Sequence, residues 1–523
     1  MGYSTGKLTI LFAFAVLLAA LGAWLIAWRY RLAMRRLMRD ADSVGPVPVD
    51  AHAVTPALLR RDPSDPAPTL DDNRRAGWRL SLFLVLLSLV IALSSGAMRL
   101  IDAAGIAGFS LNRLAVMAAV ALWPVLPALA IVWRWSRWRL FAAFVAFLVA
   151  AFLLMLWRSI EPRPLELLRY LALDVGPSIV MIALLCLGNS TRAIAPWLLP
   201  PMVGLAWSSI AGLDLLQWLV ARRTEWLTSL WFATGAPVVF AIFALVPWLI
   251  AWWPVRAFGR WLARVYTRGA VSELSLQFAA VWSVQLIWDA LAAASEHGPA
   301  AVVMLAPLAW IPLGFAALRR WGAAPSRPPT LLVLRVFQHD AAVSALFDRV
   351  VERWRLSGNT VLIAGTDLVD QTLDAGDVLT FVDGRLGARF VSSPADVDAR
   401  IAEFDFTPDL EGRFRINECY CHDSTWRYAF AALAGRSDVV LMDLRGFQAR
   451  NEGCRHELAT LARAEQVGRV VVLTDAATDR ASADAAAAGA PAERFAWIEV
   501  AARGSVDAHA LLARLLAPTP ALA

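Results

Sequence analysis

The sequence predicts an N-terminal all-α polytopic transmembrane bundle followed by a C-terminal α/β domain built on a parallel sheet. Three observations predict it. Apolar runs of about 20 residues, the length that spans a bilayer core, succeed one another through residues 1–322. The composition then breaks at a Pro-rich linker, residues 323–330. Beyond it, short β-branched runs alternate with amphipathic segments through residues 331–517, the pattern of a layered α/β fold.

Composition agrees. The chain has 523 residues, more than one compact core accommodates. Only 18% of them are charged, against roughly 25% in an average soluble protein. The 24 tryptophans suit membrane–water interfaces, where an apolar ring body and a polar N–H are both satisfied. The net charge of +6 matches basic loops on the inner side of a membrane. No basic patch interleaved with aromatics occurs in the C-terminal part, so nucleic acid is not an expected partner; the lipid bilayer is.

The clearest spans are 8–28, 80–98, 114–133, 140–157, 232–252 and 298–317. Residues 169–188, 203–220 and 274–293 are further spans that carry Asp174, Asp214 and Asp289 or small polar residues. The first run is too long for a signal peptide and is followed by Arg29, Arg31, Arg35, Arg36 and Arg39, so it reads as a retained helix. Basic segments also follow the third span (RWSRWR), the 232–252 span and the last span. Nine spans place all four on the cytoplasmic side, with the N-terminus outside and the C-terminal domain inside; Arg222-Arg223 is the outlier. The expected location is therefore the cell membrane, multi-pass. The Pro- and Asp-rich stretch 40–78 reads as a disordered cytoplasmic loop. A carboxylate at mid-membrane depth is costly, so Asp214 and Asp289 are candidate ion sites.

In the C-terminal part LLVLRVF (331–337) reads as a buried strand, AAVSALFDRVVERWRL (341–356) as an amphipathic helix and TVLIAG (360–365) as the next strand. Asp-Gly within VLTFVDGRLGARFV (378–391) suggests a small hairpin. A helix then follows Ser393-Pro394, and another runs from Thr425 to Leu433. SDVVLMDL (437–444), GRVVVLTD (468–475) and RFAWIEV (494–500) are strands; 454–466 and 505–517 are helices. About five strands result. Ligands of such sheets gather at the carboxyl ends of strands, which nominates His339, Asp340, Gly365, Thr366, Asp367, Arg445 and Phe447, with Glu457 on the following helix.

Of four cysteines, Cys186 lies in an apolar run and Cys419, Cys421 and Cys454 lie in the C-terminal domain, with no disulfide framework. Cys419-Tyr-Cys421-His422 lacks the spacing of a zinc knuckle, even with Cys454 and His456 added, and no metal is expected. Neither a Gly-rich phosphate loop nor a Gly-x-Ser-x-Gly elbow occurs.

The stretch SDVVLMDLRGFQARNEGCRHELATL (437–461) resembles Toll/interleukin-1 receptor-like (TIR-like) domains. Their motif runs from a strand through an aromatic and a small polar residue to Trp-Cys-x-x-Glu-Leu. Here Phe447, Asn451, Cys454, Glu457 and Leu458 fall on those positions, and Gly453 stands where the family has Trp. The likeness covers roughly 331–500, with an insertion between 366 and 424. It implies a flavodoxin-like sheet and, in NAD-cleaving members, a catalytic role for the glutamate at the Glu457 position, without cofactor or metal.

Three functions are thus expected. The first is a membrane-anchored signalling or sensing protein whose cytoplasmic domain binds partners, a nucleotide or further copies of itself. The second is an NAD-cleaving hydrolase or cyclase using Glu457. The third is a transporter or channel with a regulatory domain, resting on Asp214 and Asp289.

Overall fold

The computed structural model describes residues 5–39, 68–105, 108–159, 163–176, 179–180, 182, 189–321, 328–335, 346–364, 375–382, 384, 386–391, 393–422, 425–465, 467–491, 493–501 and 506–517. Within them a helical N-terminal part is followed by an all-parallel seven-stranded sheet.

The helical part comprises α1 (Thr5–Arg39), α2 (Leu70–Ala104), α3 (Leu111–Ala121), α4 (Val125–Val132), α5 (Arg137–Arg158), α6 (Pro164–Tyr170), α7 (Asn189–Ala221), α8 (Glu225–Thr234), α9 (Ala236–Thr267), α10 (Glu273–His297) and α11 (Trp310–Trp321). Seven described helices are long and apolar enough to cross a membrane, and the bent pair α3–α4 makes up to eight. These correspond to eight of the nine expected spans; 169–188 is described only in part. Large apolar side chains such as Ile10, Leu17, Phe232 and Trp253 face outwards. Water does not tolerate such a surface on this scale, whereas lipid covers it at no cost. Gly212 of α7 lies against α9, where a Cβ would fall on the Phe243 carbonyl oxygen and 2.6 Å from Pro247. Only a residue without a side chain lets two helices approach this closely.

Asp289 is buried inside the bundle and used structurally. Its Oδ1 accepts from Gln285 Nε2 at 3.2 Å and pairs with Arg99 at 3.4 Å. Gln285 in turn accepts from Trp123 Nε1 at 2.9 Å. Asp214 is half-buried on α7, and the Asp174 side chain lies outside the described residues.

The sheet runs β3 (Phe390–Val391), β4 (Ile416–Cys421), β2 (Asn359–Ala364), β1 (Thr330–Arg335), β5 (Val439–Asp443), β6 (Arg469–Thr474) and β7 (Phe495–Glu499). Two strands exceed the sequence expectation. INECYC, to which the sequence reading assigned no strand, forms β4; Cys419 and Cys421, two apart on a strand, share one face. The expected hairpin at 378–391 is instead helix α13 (Ala375–Val382), a short 3₁₀ turn and the edge strand β3. Val378, Leu379 and Phe381 recur at helical spacing, and their burial overrides the Asp-Gly turn signal.

The central strands β1, β5 and β6 are buried on both faces and read as continuous apolar runs, whereas β7 at the edge is half-exposed. Leu331, Val333, Leu362, Val439, Leu441 and Val471 form one face. It is covered by the π-turn Phe347–Val351, which runs into α12 (Glu352–Trp354), and by the terminal helix α18 (Ala508–Leu516). Leu332, Leu334, Val440, Met442 and Val472 form the other. It packs on α14 (Asp396–Ala402), α15 (Trp426–Ala434), α16 (Glu452–Arg463) and α17 (Arg480–Ala486).

The two parts share cores. At about 1.5 Å per residue α1 is about 52 Å long, against a bilayer core of about 30 Å. Its excess turns carry Tyr30 and Met34 into the sheet's core beside Leu331 and Val333. In the opposite sense, α13 lays Val378 and Leu379 against the bundle, on α1, α7 and α9. Phe381 meets Tyr30 edge to face, ring centroids 6.0 Å apart.

Candidate functional site

β1 is central, and the chain leaves it on one side for β2 and on the other for β5. In parallel sheets a crevice opens at such a reversal, at the carboxyl ends of the strands. Here Arg335 is paired in register with Asp443. Asp443 is buried, and both its oxygens are gripped by the Arg445 guanidinium, with Nε at 2.8 Å from Oδ1. The Arg445 fork is thus turned back onto its own strand end. Gly446, at φ +72°, reverses the chain, and its amide donates to Asp475 Oδ1 at 2.9 Å, lacing the β5 and β6 ends together. Burial alone would raise the Asp475 pKa; the amides of Gly446 and Ala477 and the Thr478 hydroxyl outweigh it and hold the carboxyl below its usual range. Phe447 is fully buried beneath this turn and serves as core.

Glu457 lies on the sheet-facing side of α16 with Cys454, Leu458 and Leu461. Burial pushes its carboxyl from 4.5 up to about 8, so at neutral pH it is a protonated acid. Its Oε2 has no hydrogen-bond partner among the described residues. Burial, and then the Glu457 charge, push the Cys454 thiol up as well, so it is inert as a nucleophile. Beside Gly453, where the resembled family carries Trp, the Trp426 ring of α15 occupies the space, 3.7 Å from a Cβ built on the glycine. His339, Asp340, Gly365, Thr366 and Asp367 lie outside the described residues. Of the predicted site residues that are described, Arg445 and Phe447 follow the carboxyl end of β5, Phe447 as core, and Glu457 is buried on α16.

A second polar centre lies between the bundle and the sheet domain, and sequence reading missed it. Glu352 Oε2 accepts from Arg413 Nη2 at 2.8 Å and Arg355 Nη1 at 3.0 Å, with Arg134 of the α4–α5 turn at 3.8 Å. Burial alone would raise the Glu352 pKa; these three guanidiniums hold it far below the usual carboxylate range. Arg355 also reaches Glu273 at the start of α10, at 3.6 Å, and donates through Nε to the Phe414 carbonyl at 2.7 Å. Arg415 Nε pairs with Asp409 at 2.8 Å, while Nη2 donates to the Val271 carbonyl at 3.3 Å and the guanidinium covers the Tyr266 ring at 4.6 Å. Asn73 of α2 donates to the Arg353 carbonyl at 2.8 Å and to Ser357 at 2.7 Å.

Glu411 sits inside this junction beside Ser272, the N-cap of α10. Burial, then neighbouring Asp409, raise its pKa to about 7 against the pull of Arg413. Neither carboxyl oxygen makes a hydrogen bond of sound geometry among the described residues. The available sequence signal was the run Asp409-Leu-Glu411-Gly-Arg413-Phe-Arg415 between two apolar elements, dense in opposite charges yet too short to be a solvated face.

No family model, curated protein or solved structure matches the chain.

Proposed function

We propose that the chain is a membrane-anchored signalling or sensing protein in which the bundle sets the state of a cytoplasmic TIR-like domain. That domain binds partners, further copies of itself or a nucleotide at the carboxyl ends of β1 and β5. The observation that carries this reading is the buried junction. A mere tether needs only a linker; this chain also joins its two parts by a desolvated network of arginines and carboxylates and by reciprocal insertion of α1 and α13. Buried ion pairs add little net stability but fix one arrangement, since breaking one leaves a bare charge. A shift of α10 or of the α4–α5 turn therefore reaches the sheet domain as a change of state rather than a loose drift.

Arg134→Gln in the full chain, in lipid nanodiscs, tests this. Removing the bundle's guanidinium raises hydrogen-exchange rates in Val439–Asp443 and Glu452–Arg463, beyond its ion-pair partner Glu352. Unchanged rates there would reduce the bundle to an anchor.

A second reading has its own observation, the buried protonated Glu457 with an oxygen lacking a partner. Buried acids with raised pKa values concentrate at functional sites. NAD cleavage requires the anion, to stabilise positive charge developing on the ribose. Nicotinamide release by the full chain then rises with pH through about 8 and vanishes in Glu457→Gln. No turnover from pH 6 to 9, in oligomerised protein as well, eliminates it.

A further inference from the structure

The end of α1 nearest the sheet domain carries an exposed stripe of graded chemistry. Ile10, Leu17, Leu21, Trp24, Trp28, Arg31 and Arg35 recur at spacings of three, four and seven, so they share one helix face. The large apolar members are exposed, and Trp24 and Trp28 stack with centroids 6.3 Å apart. Where the stripe turns basic, a cavity of about 340 Å³ opens, lined among the described residues by Trp28, Arg31, Leu32 and Arg35.

The order of this chemistry along the helix matches one lipid molecule. From Leu21 to Arg35 is about 21 Å at 1.5 Å per residue, close to one leaflet of about 15 Å of hydrocarbon plus its headgroup. With the stacked tryptophans at the interface, where such rings partition, the helical rise puts the leucines at acyl depth and the arginines at phosphate depth. Arginine forks match phosphate oxygens geometrically, and a basic recess beside a membrane helix favours anionic headgroups. Scattered positive charge would attract the same lipids diffusely. A concave site with an aromatic wall does more, because it holds one headgroup in place.

We propose that Trp28, Arg31, Leu32 and Arg35 form a binding site for the phosphate headgroup of an anionic phospholipid, its acyl chain lying along Leu17, Leu21 and Trp24. The site stands on α1 at the turns that also enter the sheet's core through Tyr30 and Met34, so an occupying lipid braces the helix that joins the two parts.

The test is native mass spectrometry of the full chain released from nanodiscs of equal parts phosphatidylglycerol and phosphatidylcholine. The unaltered protein retains phosphatidylglycerol in preference; equal retention of both lipids overturns the site without any variant. The pair Arg31→Gln and Arg35→Gln lowers that retention about thirtyfold, from about 1 kcal/mol, a factor of about five, for each basic residue near an anionic surface. The pair Arg29→Gln and Arg36→Gln removes the same charge from exposed positions off the stripe and leaves retention within about threefold. An equal drop in both pairs shows diffuse attraction and overturns the proposal. Displacement of phosphatidylglycerol by millimolar inorganic phosphate also overturns it, as that outcome assigns the recess to a soluble anion.

Discussion

Replacing Glu457 by Gln removes a buried acid's capacity to ionise while nearly preserving its shape. In the fold the carboxyl titrates near 8, and its ordinary value is 4.5. Between those values the folded protein holds a proton that the unfolded chain has released. Stability therefore falls as pH rises across this window and is level below 4.5 and above 8. At about 1.4 kcal/mol per unit, ionisation withdraws on the order of 3 kcal/mol by pH 7 and roughly 5 kcal/mol above pH 8. Gln pays no such penalty, although its buried amide carries a pH-independent cost of about 1–3 kcal/mol. The pH-dependent difference is thus the diagnostic quantity. The assay is hydrogen exchange of the full chain in nanodiscs, comparing wild type and Glu457→Gln at each pH so that intrinsic exchange rates cancel. For amides of Val439–Asp443 and Glu452–Arg463, the wild-type to variant rate ratio grows by roughly two orders of magnitude from pH 5 to 7.5. A ratio constant across that range refutes the reasoning, because it places Glu457 ionised or solvated in the folded protein.

Glu411 obeys the same sign. Its carboxyl titrates near 7 in the fold, so protease resistance of residues 405–415 declines from pH 5 to 7 and then levels, and Glu411→Gln abolishes the decline. Glu352→Ala leaves Arg355 and Arg413 buried without their shared carboxylate; a loss of about 3–5 kcal/mol is expected, read as a lower urea midpoint of the sheet domain's exchange-protected amides. Gly212→Ala forces α7 away from the Phe243 carbonyl and lowers thermal stability in detergent by about 1–3 kcal/mol, whereas Gly204→Ala, with open space around its Cβ, leaves it within about 0.5 kcal/mol.

What the sequence disclosed follows the range of each force. Burial on both faces makes β1, β5 and β6 continuous apolar runs, and these were legible to within a residue or two. β4 was not, because Asn417 and Glu418 interrupt its apolar pattern, and its pairing with β2, some 50 residues earlier, and with β3 defines it. The segment 378–391 failed for a related reason. Asp-Gly is a local turn signal, while the partners that make 375–382 a helix lie in α1, α7 and α9. At the site, Glu457 was legible through its motif but its burial was not. The junction's pairing was not legible beyond the charged run 409–415, because Arg134, Glu273, Glu352 and Arg413 lie on four separate stretches, and no spacing rule connects them.

The reach of α1 into the sheet's core also constrains how the chain is made. Tyr30 and Met34 leave the ribosome about 300 residues ahead of Leu331 and Val333, which share their cluster, and about 480 residues ahead of Leu511, Leu512 and Leu515, which complete it. Until then two apolar side chains at the membrane surface stand uncovered, beside the arginines that hold the helix end there. A nascent chain that has not yet made the sheet thus displays on its first helix apolar side chains that the sheet later covers.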